Sequence, residues 1–446
     1  MRRILYRAFR STYALEQRMR RRLTRAGVFV VTGLGAAAVV GIDTNRSMAY
    51  QAFTFLLSLL VVSTASSVFF RPRLTVRRIL PRFGTAGQPL AYRLLIQNQS
   101  PVREAGLILV ENLADPRPSF EEFIRSREPG EERRNWFDRT VGYPRWTWLI
   151  SKNRGATIEE RPLPPLPPRG EYELRTEMVP SRRGRFTLTG VTVARPDPFG
   201  LVKALVTLPV EQSVLVLPKR YPLRGIRLPG TRRYQRGGVT LALSVGDSEE
   251  FMSLREYRPG DPVRRIHWKR SATLGTPLVK EFQDEFFVRH ALVLDTFLPT
   301  EPSEVFEEAV SVAASVACSI QTQESLLDLM FIGPEAYCFT AGRGLGNTDQ
   351  MLEILACVRV CRDKPFRALH HVVIERHGAL SGCICVLLAW DEERRRFIDH
   401  LRALGVPALA LLVTGASDPH AQALEPAPDG VHRLEVGRIA EGLARL

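Results

Sequence analysis

Residues 249–281 read EEFMSLREYRPGDPVRRIHWKRSATLGTPLVKE and separate two stretches of the chain whose hydrophobic patterns differ. Charged and aromatic side chains crowd around a Pro-Gly-Asp turn in this signature segment, which is more polar than a linker between apolar domains needs to be. We predict that the segment binds a protein partner or fastens neighbouring parts of the chain together. The residues assigned to this site are Glu249, Glu250, Arg255, Tyr257, Gly260, Asp261, Arg264, Arg265, His267 and Trp268.

A helix is predicted to begin in the signature segment at Asp261 and Pro262, because aspartate caps helices and proline suits the first helical position. Gly275 is a typical helix stop. Two interpretations of the arginines in this helix stay open. They bind an anion such as a phosphate or a carboxylate near the helix N-terminus, or they form ion pairs with Glu249 and Glu250.

The chain after the signature segment alternates between apolar and amphipathic runs. HALVLDTF, LDLMFIG, ICVLLAWD and PALALLVTG are typical of buried strands, and helical patterns separate them. This alternation predicts an α/β domain over residues 289–446, with a mostly parallel sheet covered by helices on both faces. Residues 226–288 are then a linker together with the signature segment.

A different pattern occupies residues 71–225, before the signature segment. Short runs in which apolar and polar residues alternate, such as YRLLIQN and RFTLTGVTVA, are separated by Pro, Gly and Asn. This two-residue period predicts an antiparallel β-sandwich. An irregular insertion at about 117–170 carries Trp136, Trp146 and Trp148, and we expect these side chains to pack the insertion onto the sandwich.

Two uncharged apolar runs, residues 26–42 and 48–70, approach the roughly 20 residues that a helix needs to cross a bilayer. They predict a two-helix transmembrane hairpin over residues 26–70. Nine arginines precede it in the basic segment 1–25 and four follow it by residue 78, whereas the connecting loop carries only Asp43 and Arg46. The positive-inside rule therefore predicts a multi-pass protein of the inner (cytoplasmic) membrane, with its soluble domains facing the cytoplasm.

The formal net charge of +15 raises the alternative of nucleic-acid binding. The arginines beside the apolar runs favour the lipid bilayer as their partner, since anionic headgroups attract such clusters. We therefore predict no nucleic-acid partner. The six cysteines lie in apolar segments without paired CxxC spacing, which predicts buried reduced thiols and no zinc site.

The string SEEFMSLREYRPGDPVRRIHWKRSATLGTPLVKEF resembles the characteristic segment of the bacterial domain-of-unknown-function 58 family, which combines an acidic start with R-x-Y-x-x-G-D, R-x-I-x-W and S-A. RRGRFTLTGVTVARPDPFGL resembles a second segment of that family. The resemblance implies a von Willebrand A-like fold for the C-terminal domain, no established enzymatic activity, and a MoxR-type AAA+ ATPase as partner. We therefore expect a non-catalytic, membrane-anchored protein-interaction factor that docks this ATPase, or a client, in envelope or complex maturation.

Two positions depart from the family pattern. Thr273 stands where members often carry arginine. A von Willebrand A-like metal site uses D-x-S-x-S after its first strand, but Asp295 is followed here by TFLP, so that Phe297 and Pro299 stand in place of the serines. Neither residue offers a side-chain oxygen to a Mg²⁺ ion, and we expect no metal or other cofactor. A weak metal site formed by Asp295, Thr296 and Asp391 stays open as the alternative.

A catalytic alternative stays open at the signature segment. His267 lies close in sequence to Asp261 and Glu250 and would supply acid–base chemistry to a hydrolase or transferase. The sequence contains no GxxxxGK[ST], GxSxG or HExxH pattern to support this alternative.

Overall fold

The computed structural model describes residues 2–40, 47–128, 130–223, 250–261, 263–283, 288–298, 304–320, 325–342, 347–415 and 430–446. The chain forms two compact units, Met1–Leu217 and Pro218–Leu446, which we call the N-terminal unit and the C-terminal unit. The predicted linker residues 226–249, which include Glu249, lie outside the described residues. The side chains of Glu250 and Arg265 lie outside them as well.

Helices begin the N-terminal unit and return in its middle, and strands form most of the remainder. The helices are α1 (Arg2–Arg22), α2 (Arg25–Val40), α3 (Ser47–Val68), α4 (Phe120–Arg125), α5 (Trp136–Val141) and α6 (Tyr143–Arg154). The strands are β1 (Leu74–Ile79), β2 (Phe83–Thr85), β3 (Leu90–Asn98), β4 (Ile108–Leu113), β5 (Ala156–Ile158), β6 (Arg161–Pro162), β7 (Glu171–Pro180), β8 (Gly184–Pro196) and β9 (Lys203–Leu217).

The strands of the N-terminal unit form two sheets, with the orders β1-β3-β7-β5 and β2-β9-β8-β4-β6. Paired strands run antiparallel, except that β2 and β9 are parallel. Both sheets contribute to one apolar core, in which Leu94 and Ile96 of β3 lie with Leu188 of β8 and Val216 of β9. Alternating residues build this core because successive side chains of a strand point to opposite faces.

A buried ion pair joins the two sheets, from β1 to β4. Arg78 donates to the two carboxylate oxygens of Glu111 at 3.1 and 2.6 Å, and both side chains are almost completely buried. Burial, and after it the nearby Glu111 carboxylate, raises the pKa of the Tyr92 phenol above its usual range. Arg78 was counted among the arginines that follow the apolar runs, but it adds no exposed charge there.

Helix α1 packs against the helices of the insertion. The ring of Tyr6 is buried, and its centroid lies 5.4 to 5.9 Å from those of Phe120, Phe123 and Trp146. The basic segment therefore has an aromatic side that contacts the insertion. Trp146 is buried in a cluster with residues of α1 and of the insertion's own helices, and not in the core between the two sheets, whereas Trp136 is 72% exposed.

The two apolar helices, α2 and α3, pack against each other and differ in length. Helix α3 has 22 residues and is long and apolar enough to cross a membrane over Met48–Val68. Helix α2 has 16 residues, or about 24 Å at 1.5 Å per residue, which is less than the roughly 30 Å of a bilayer's hydrocarbon core. Residues 41–46 between them lie outside the described part of the chain.

The C-terminal unit alternates strands and helices. Its helices are α7 (Trp268–Leu274), α8 (Glu304–Ser319), α9 (Thr348–Cys357), α10 (Arg367–Ile374), α11 (Glu392–Ala403) and α12 (Ile439–Leu443). Its strands are β10 (Glu250–Glu256), β11 (Leu278–Gln283), β12 (Val288–Leu294), β13 (Ser325–Ile332), β14 (Ala336–Ala341), β15 (Gly382–Leu387), β16 (Ala408–Thr414) and β17 (Val431–Glu435).

The main sheet of the C-terminal unit has the order β14-β13-β12-β15-β16-β17. All of its neighbouring strands are parallel except the edge strand β14, which pairs antiparallel with β13. Helices α10 and α11 share one core with alternate strand residues such as Val293 and Cys385. The intervening residues, such as Leu292 and Ile384, are also fully buried, and α8 contacts β12, β15 and β16. Helices therefore cover both faces of a mostly parallel sheet, as the alternating sequence predicts.

The cysteines are free thiols, but the prediction that all of them are buried is wrong. Cys361, Cys383 and Cys385 are buried, whereas Cys318 and Cys357 are exposed. Cys357 is the last residue of α9, because Val358 already has an extended backbone, and Cys361 N instead donates to Thr296 O at 2.8 Å. The two thiols do not share a helix face.

Candidate functional site

The signature segment folds back on itself around a two-stranded ribbon. Strands β10 and β11 pair antiparallel along their length. Between them the chain returns to β11, where Ile266 forms a bridge with Val279 and His267 N donates to Leu278 O at 2.8 Å. Ile266, Leu278 and Val279 are buried, so they provide an apolar base for the polar residues of the segment.

The prediction of a single helix that begins at Asp261 is wrong. The structure has a 3-10 turn over Val263–Arg265 and then the short helix α7. His267 interrupts the helix because its N–H donates to Leu278 O of β11 and is unavailable to a helical partner. Gly275 does end α7, with a left-handed backbone (φ 71°) that glycine adopts readily.

Arg255 and Asp261 close the turn that follows β10. The Arg255 guanidinium donates to both carboxylate oxygens of Asp261, at 2.7 and 2.8 Å, and Arg258 N donates to the same carboxylate at 2.9 Å. These hydrogen bonds lower the pKa of Asp261 to about 2, and the bond from Arg255 contributes most. Gly260 supplies a positive φ of 107° just before the aspartate. Asp261 is thus the anchor of a turn and not a helix cap.

His267 caps α7. Its Nδ1 accepts a hydrogen bond from Arg270 N at 3.2 Å. Ser271 Oγ donates to His267 O at 3.0 Å and accepts from Leu278 N at 2.8 Å, which ties the helix to β11. One ring nitrogen of His267 and the carboxylate of Asp261 therefore have separate structural partners.

The exposed side chains of the segment are chemically different from those that hold it together. Trp268 is 63% exposed, Val263 is 61% exposed, and Arg264 is exposed between them in sequence. Large apolar side chains at the surface are typical of contact sites. We call Val263, Arg264 and Trp268 the signature surface.

The remaining predicted site residues contribute mainly through the backbone or lie outside the description. Tyr257 N donates to Pro277 O at 2.9 Å and so extends the ribbon beyond β10. Glu249 lies outside the described residues, and so do the side chains of Glu250 and Arg265. Ion pairing between these groups, which was one interpretation of the arginines, stays a prediction, while Arg255 pairs with Asp261.

A second cluster, which sequence reasoning missed in part, lies at the carboxyl ends of β12 and β15. Asp295 follows β12 and is fully buried. Its Oδ2 accepts from Arg394 Nε at 2.6 Å and from Leu388 N at 3.1 Å, and its Oδ1 accepts from Phe297 N at 3.0 Å. Arg394 also pairs with Asp391, which caps α11. Burial opposes the charge of Arg394, but the two carboxylates raise its pKa above the usual range.

This cluster lies where the chain order of the sheet reverses, since β13 and β15 flank β12 on opposite sides. Ligands of open α/β sheets bind at such switch points. Here the position between the carboxylates is filled by a guanidinium of the chain itself. Thr296 Oγ1 is also engaged, because it donates to Ile332 O at 2.6 Å. Within the described ranges, no group of three or more His, Cys, Asp or Glu side chains is placed to hold a metal ion.

A third feature is the Asp-Pro-Phe-Gly turn between β8 and β9. The Asp197 carboxylate accepts from the backbone N–H groups of Phe199, Leu201 and Val202 at 2.7 to 3.0 Å. Burial would raise the pKa of Asp197, but these backbone hydrogen bonds lower it. The carboxylate therefore fixes the turn.

The same turn holds the junction between α1 and α2. Thr24 N donates to Leu201 O at 3.0 Å, and Thr24 Oγ1 donates to Gly200 O at 2.5 Å. A Cβ on Gly27 would lie 2.1 Å from Leu201 O, so that only glycine fits there. The start of helix α2 is thus attached to the turn between β8 and β9.

Comparison with protein families gives a match to part of the chain. Residues 253–370 match the family described as "Protein of unknown function DUF58". The match begins within β10 and ends in α10, so it includes the signature surface and Asp295.

A comparison with curated proteins gives one particular relative. The chain is 28% identical over 184 residues to "Uncharacterized protein YeaD" of Bacillus subtilis, a match that covers 40% of this chain and 44% of that protein. The matched segment thus spans less than half of the relative's length.

Similarity to solved structures is low. A crystal structure of a CARDB domain from Pyrococcus furiosus is similar with a TM-score of 0.19 and 15% identity, over 33% of this chain and 91% of that one. Red sea bream transglutaminase is similar with a TM-score of 0.18 and 13% identity, over 33% of this chain and 15% of that one. These scores carry no argument about fold or function.

Proposed function

We propose that this protein is a non-catalytic, membrane-anchored interaction factor that docks a MoxR-type AAA+ ATPase through the signature surface. The observation that carries the proposal is the exposure of Trp268 and Arg264 on a segment whose other polar groups hold the turn together. Tryptophan and arginine are the residue types most often found at the energetic centres of interfaces. The identity of the ATPase follows the family resemblance.

Anchoring rests on the apolar helices. Helix α3 has full spanning length, and α2 packs beside it, which supports a two-span hairpin. The arginines of α1 precede the hairpin, and Arg71 and Arg73 follow it. By the positive-inside rule both units then face the cytoplasm from the inner membrane, where an ATPase is available to them.

The finer fold proposed for the C-terminal unit is von Willebrand A-like. The mostly parallel sheet with helices on both faces and the aspartate directly after β12 support this. In this protein the switch point holds Arg394 in place of a cation ligand set, so the docking that we propose uses the signature surface and needs no metal.

The proposal is tested by capture of a purified MoxR-type ATPase from the same organism on the full chain in nanodiscs. Trp268→Ala and Arg264→Glu should each weaken binding by about 30-fold or more, since interface hot spots cost about 2 kcal/mol or more. Matched controls are Trp136→Ala, which removes a tryptophan of similar exposure, and Arg395→Glu, which reverses an exposed arginine on α11. Normal binding by both signature variants would overturn the assignment of the surface.

A further inference from the structure

A large cavity in the N-terminal unit lies between helix α1 and the sheets. It has a volume of about 1040 Å³. The second half of α1 forms one wall, from Tyr13 to Arg22, and residues of β4, β5, β8 and β9 form the others. Neutral polar side chains line the sheet side of the cavity, among them Asn112, Thr189 and Thr207.

The charge of this cavity is strongly positive. Six arginines line it, Arg18, Arg20, Arg21, Arg22, Arg117 and Arg154, with two carboxylates, Glu111 and Asp115. Both carboxylates are already paired, Glu111 with the buried Arg78 and Asp115 with Arg117. The cavity thus has more cationic groups than its own acids neutralise.

Three of the arginines are available to a ligand. Arg20 pairs with Glu16 and Arg21 donates to Asn112 Oδ1 at 3.2 Å. Arg18, Arg22 and Arg154 are exposed at the cavity and form no ion pair with any acid of the described residues. Guanidinium groups bind phosphate oxygens through two parallel hydrogen bonds, which makes a phosphate-bearing anion the ligand that suits this set.

The position of the cavity selects the source of that phosphate. Arg22 lies three residues before Arg25, where the apolar helix α2 begins, so the two Cα atoms are no more than about 11 Å apart. Thr24, between them, is bonded to the Asp-Pro-Phe-Gly turn, which fixes the cavity relative to α2. On that turn Phe199 is 53% exposed, so that an apolar ring lies at the surface close to the start of α2.

We infer that the cavity between α1 and the sheets binds the headgroup of an anionic phospholipid. The three unpaired arginines hold the phosphate, and the neutral polar wall faces the hydroxyl groups of a glycerol headgroup. This inference rests on the membrane anchoring in the proposed function and is independent of the signature surface. It also gives α1 a role beyond nonspecific attraction to lipid.

The test measures lipid selection by the full chain in nanodiscs that contain equal amounts of phosphatidylglycerol and phosphatidylcholine. Native mass spectrometry counts each lipid retained by the protein. The wild type should retain phosphatidylglycerol at least fivefold over phosphatidylcholine. The variant Arg18→Gln/Arg22→Gln/Arg154→Gln should lose this preference.

A matched control separates the cavity from charge alone. Arg2→Gln/Arg7→Gln/Arg139→Gln removes the same charge from exposed positions on α1 and α5 that do not line the cavity. The control should keep the wild-type preference. An equal loss in both triple variants, or no preference in the wild type, would overturn the inference.

Two further measurements keep the outcomes distinct. Inorganic phosphate added to the lipid-free, detergent-solubilised chain should give no saturable thermal shift. A shift that the cavity variant loses would assign the site to a soluble anion and overturn the lipid as ligand. Resistance of the chain to alkaline carbonate extraction tests membrane anchoring itself. A wild-type chain that is extracted refutes the anchoring. A wild-type chain that is retained but shows no lipid preference refutes only headgroup binding in the cavity.

Discussion

The C-terminal unit contains two arginine–aspartate pairs of similar geometry in different surroundings. Arg255 and Asp261 meet at 2.7 Å near the surface, with side chains that are 35% and 16% exposed. Arg394 and Asp295 meet at 2.6 Å in the interior, with side chains that are 7% and 0% exposed. Screening by water makes the first pair weak, whereas the second cannot lose one partner without leaving a buried charge. The comparison separates a pair that shapes a surface from a pair that the fold depends on.

The largest expected effect comes from breaking the interior pair. Asp295→Ala should lower the free energy of unfolding of the C-terminal unit by about 3–5 kcal/mol, because Arg394 is then buried with only Asp391 as a partner. Hydrogen exchange of the β12 and β15 amides in the full chain measures this locally. Asp399→Ala, an exposed aspartate on α11, is the control and should cost less than about 0.5 kcal/mol.

The double variant Asp295→Leu/Arg394→Met separates the pair from its packing. Removal of both charges leaves no buried unpaired ion, since Asp391, the other partner of Arg394, is half exposed, so the double variant should be less destabilised than Asp295→Ala. If the double variant is as unstable as the single one, the backbone hydrogen bonds to Asp295 dominate over the ion pair.

A smaller, pH-dependent effect is expected at the surface pair. The pKa of Asp261 is lowered to about 2 in the folded chain, below its value of about 3.9 in an unfolded one. The stabilisation is therefore present above about pH 4 and is lost as the pH falls towards 2. Hydrogen exchange of the Arg258 amide, corrected for intrinsic rates, should show protection that declines over this range.

Asp261→Asn should show weak protection of the Arg258 amide from hydrogen exchange at every pH measured, with little change between pH 4 and pH 2. Asp363→Asn, at an exposed aspartate, serves as the control and should follow the wild type. A wild-type profile that is flat down to pH 2 would contradict the role assigned to the Asp261 carboxylate.

The smallest effect is expected when Mg²⁺ is added. The Asp295 oxygens already accept from Arg394, Leu388 N and Phe297 N, so millimolar Mg²⁺ should leave the thermal unfolding midpoint of the full chain within experimental error. A saturable increase that Asp295→Ala abolishes would show that a cation competes with Arg394, and the comparison between the two pairs would then need revision.

Local patterns carried much of the prediction of the fold. The two-residue alternation of YRLLIQN corresponds to β3, and ICVLLAWD contains the fully buried strand β15. Gly275 was recognised as a helix stop because the requirement for a left-handed backbone is local. The apolar run 48–70 contains α3, which is long and apolar enough to cross a membrane, and α2 follows the run 26–42 as far as Val40.

The candidate site was predictable only as a segment. The residues of the signature surface and the exposed ring of Trp268 lie in one stretch, so their types could be read directly. The interruption of the helix could not be read in this way, because it depends on the hydrogen bond from His267 N to Leu278 O of β11, which comes later in the chain. The run DEERRR contained the only signal for Arg394, and nothing in it distinguishes that arginine from its neighbours.

The sequence by itself determined the order of the elements, the apolar helices, the basic character of α1 and the residues of the signature segment, because each depends on neighbours along the chain. Only the tertiary structure decided which charges are paired. Arg394 reaches Asp295 across 99 positions and Arg78 reaches Glu111 across 33, and α1 meets the sheets to form a basic cavity. The physical reason is that an ion pair and a cavity wall are properties of groups brought together by folding, and no local pattern encodes their distance.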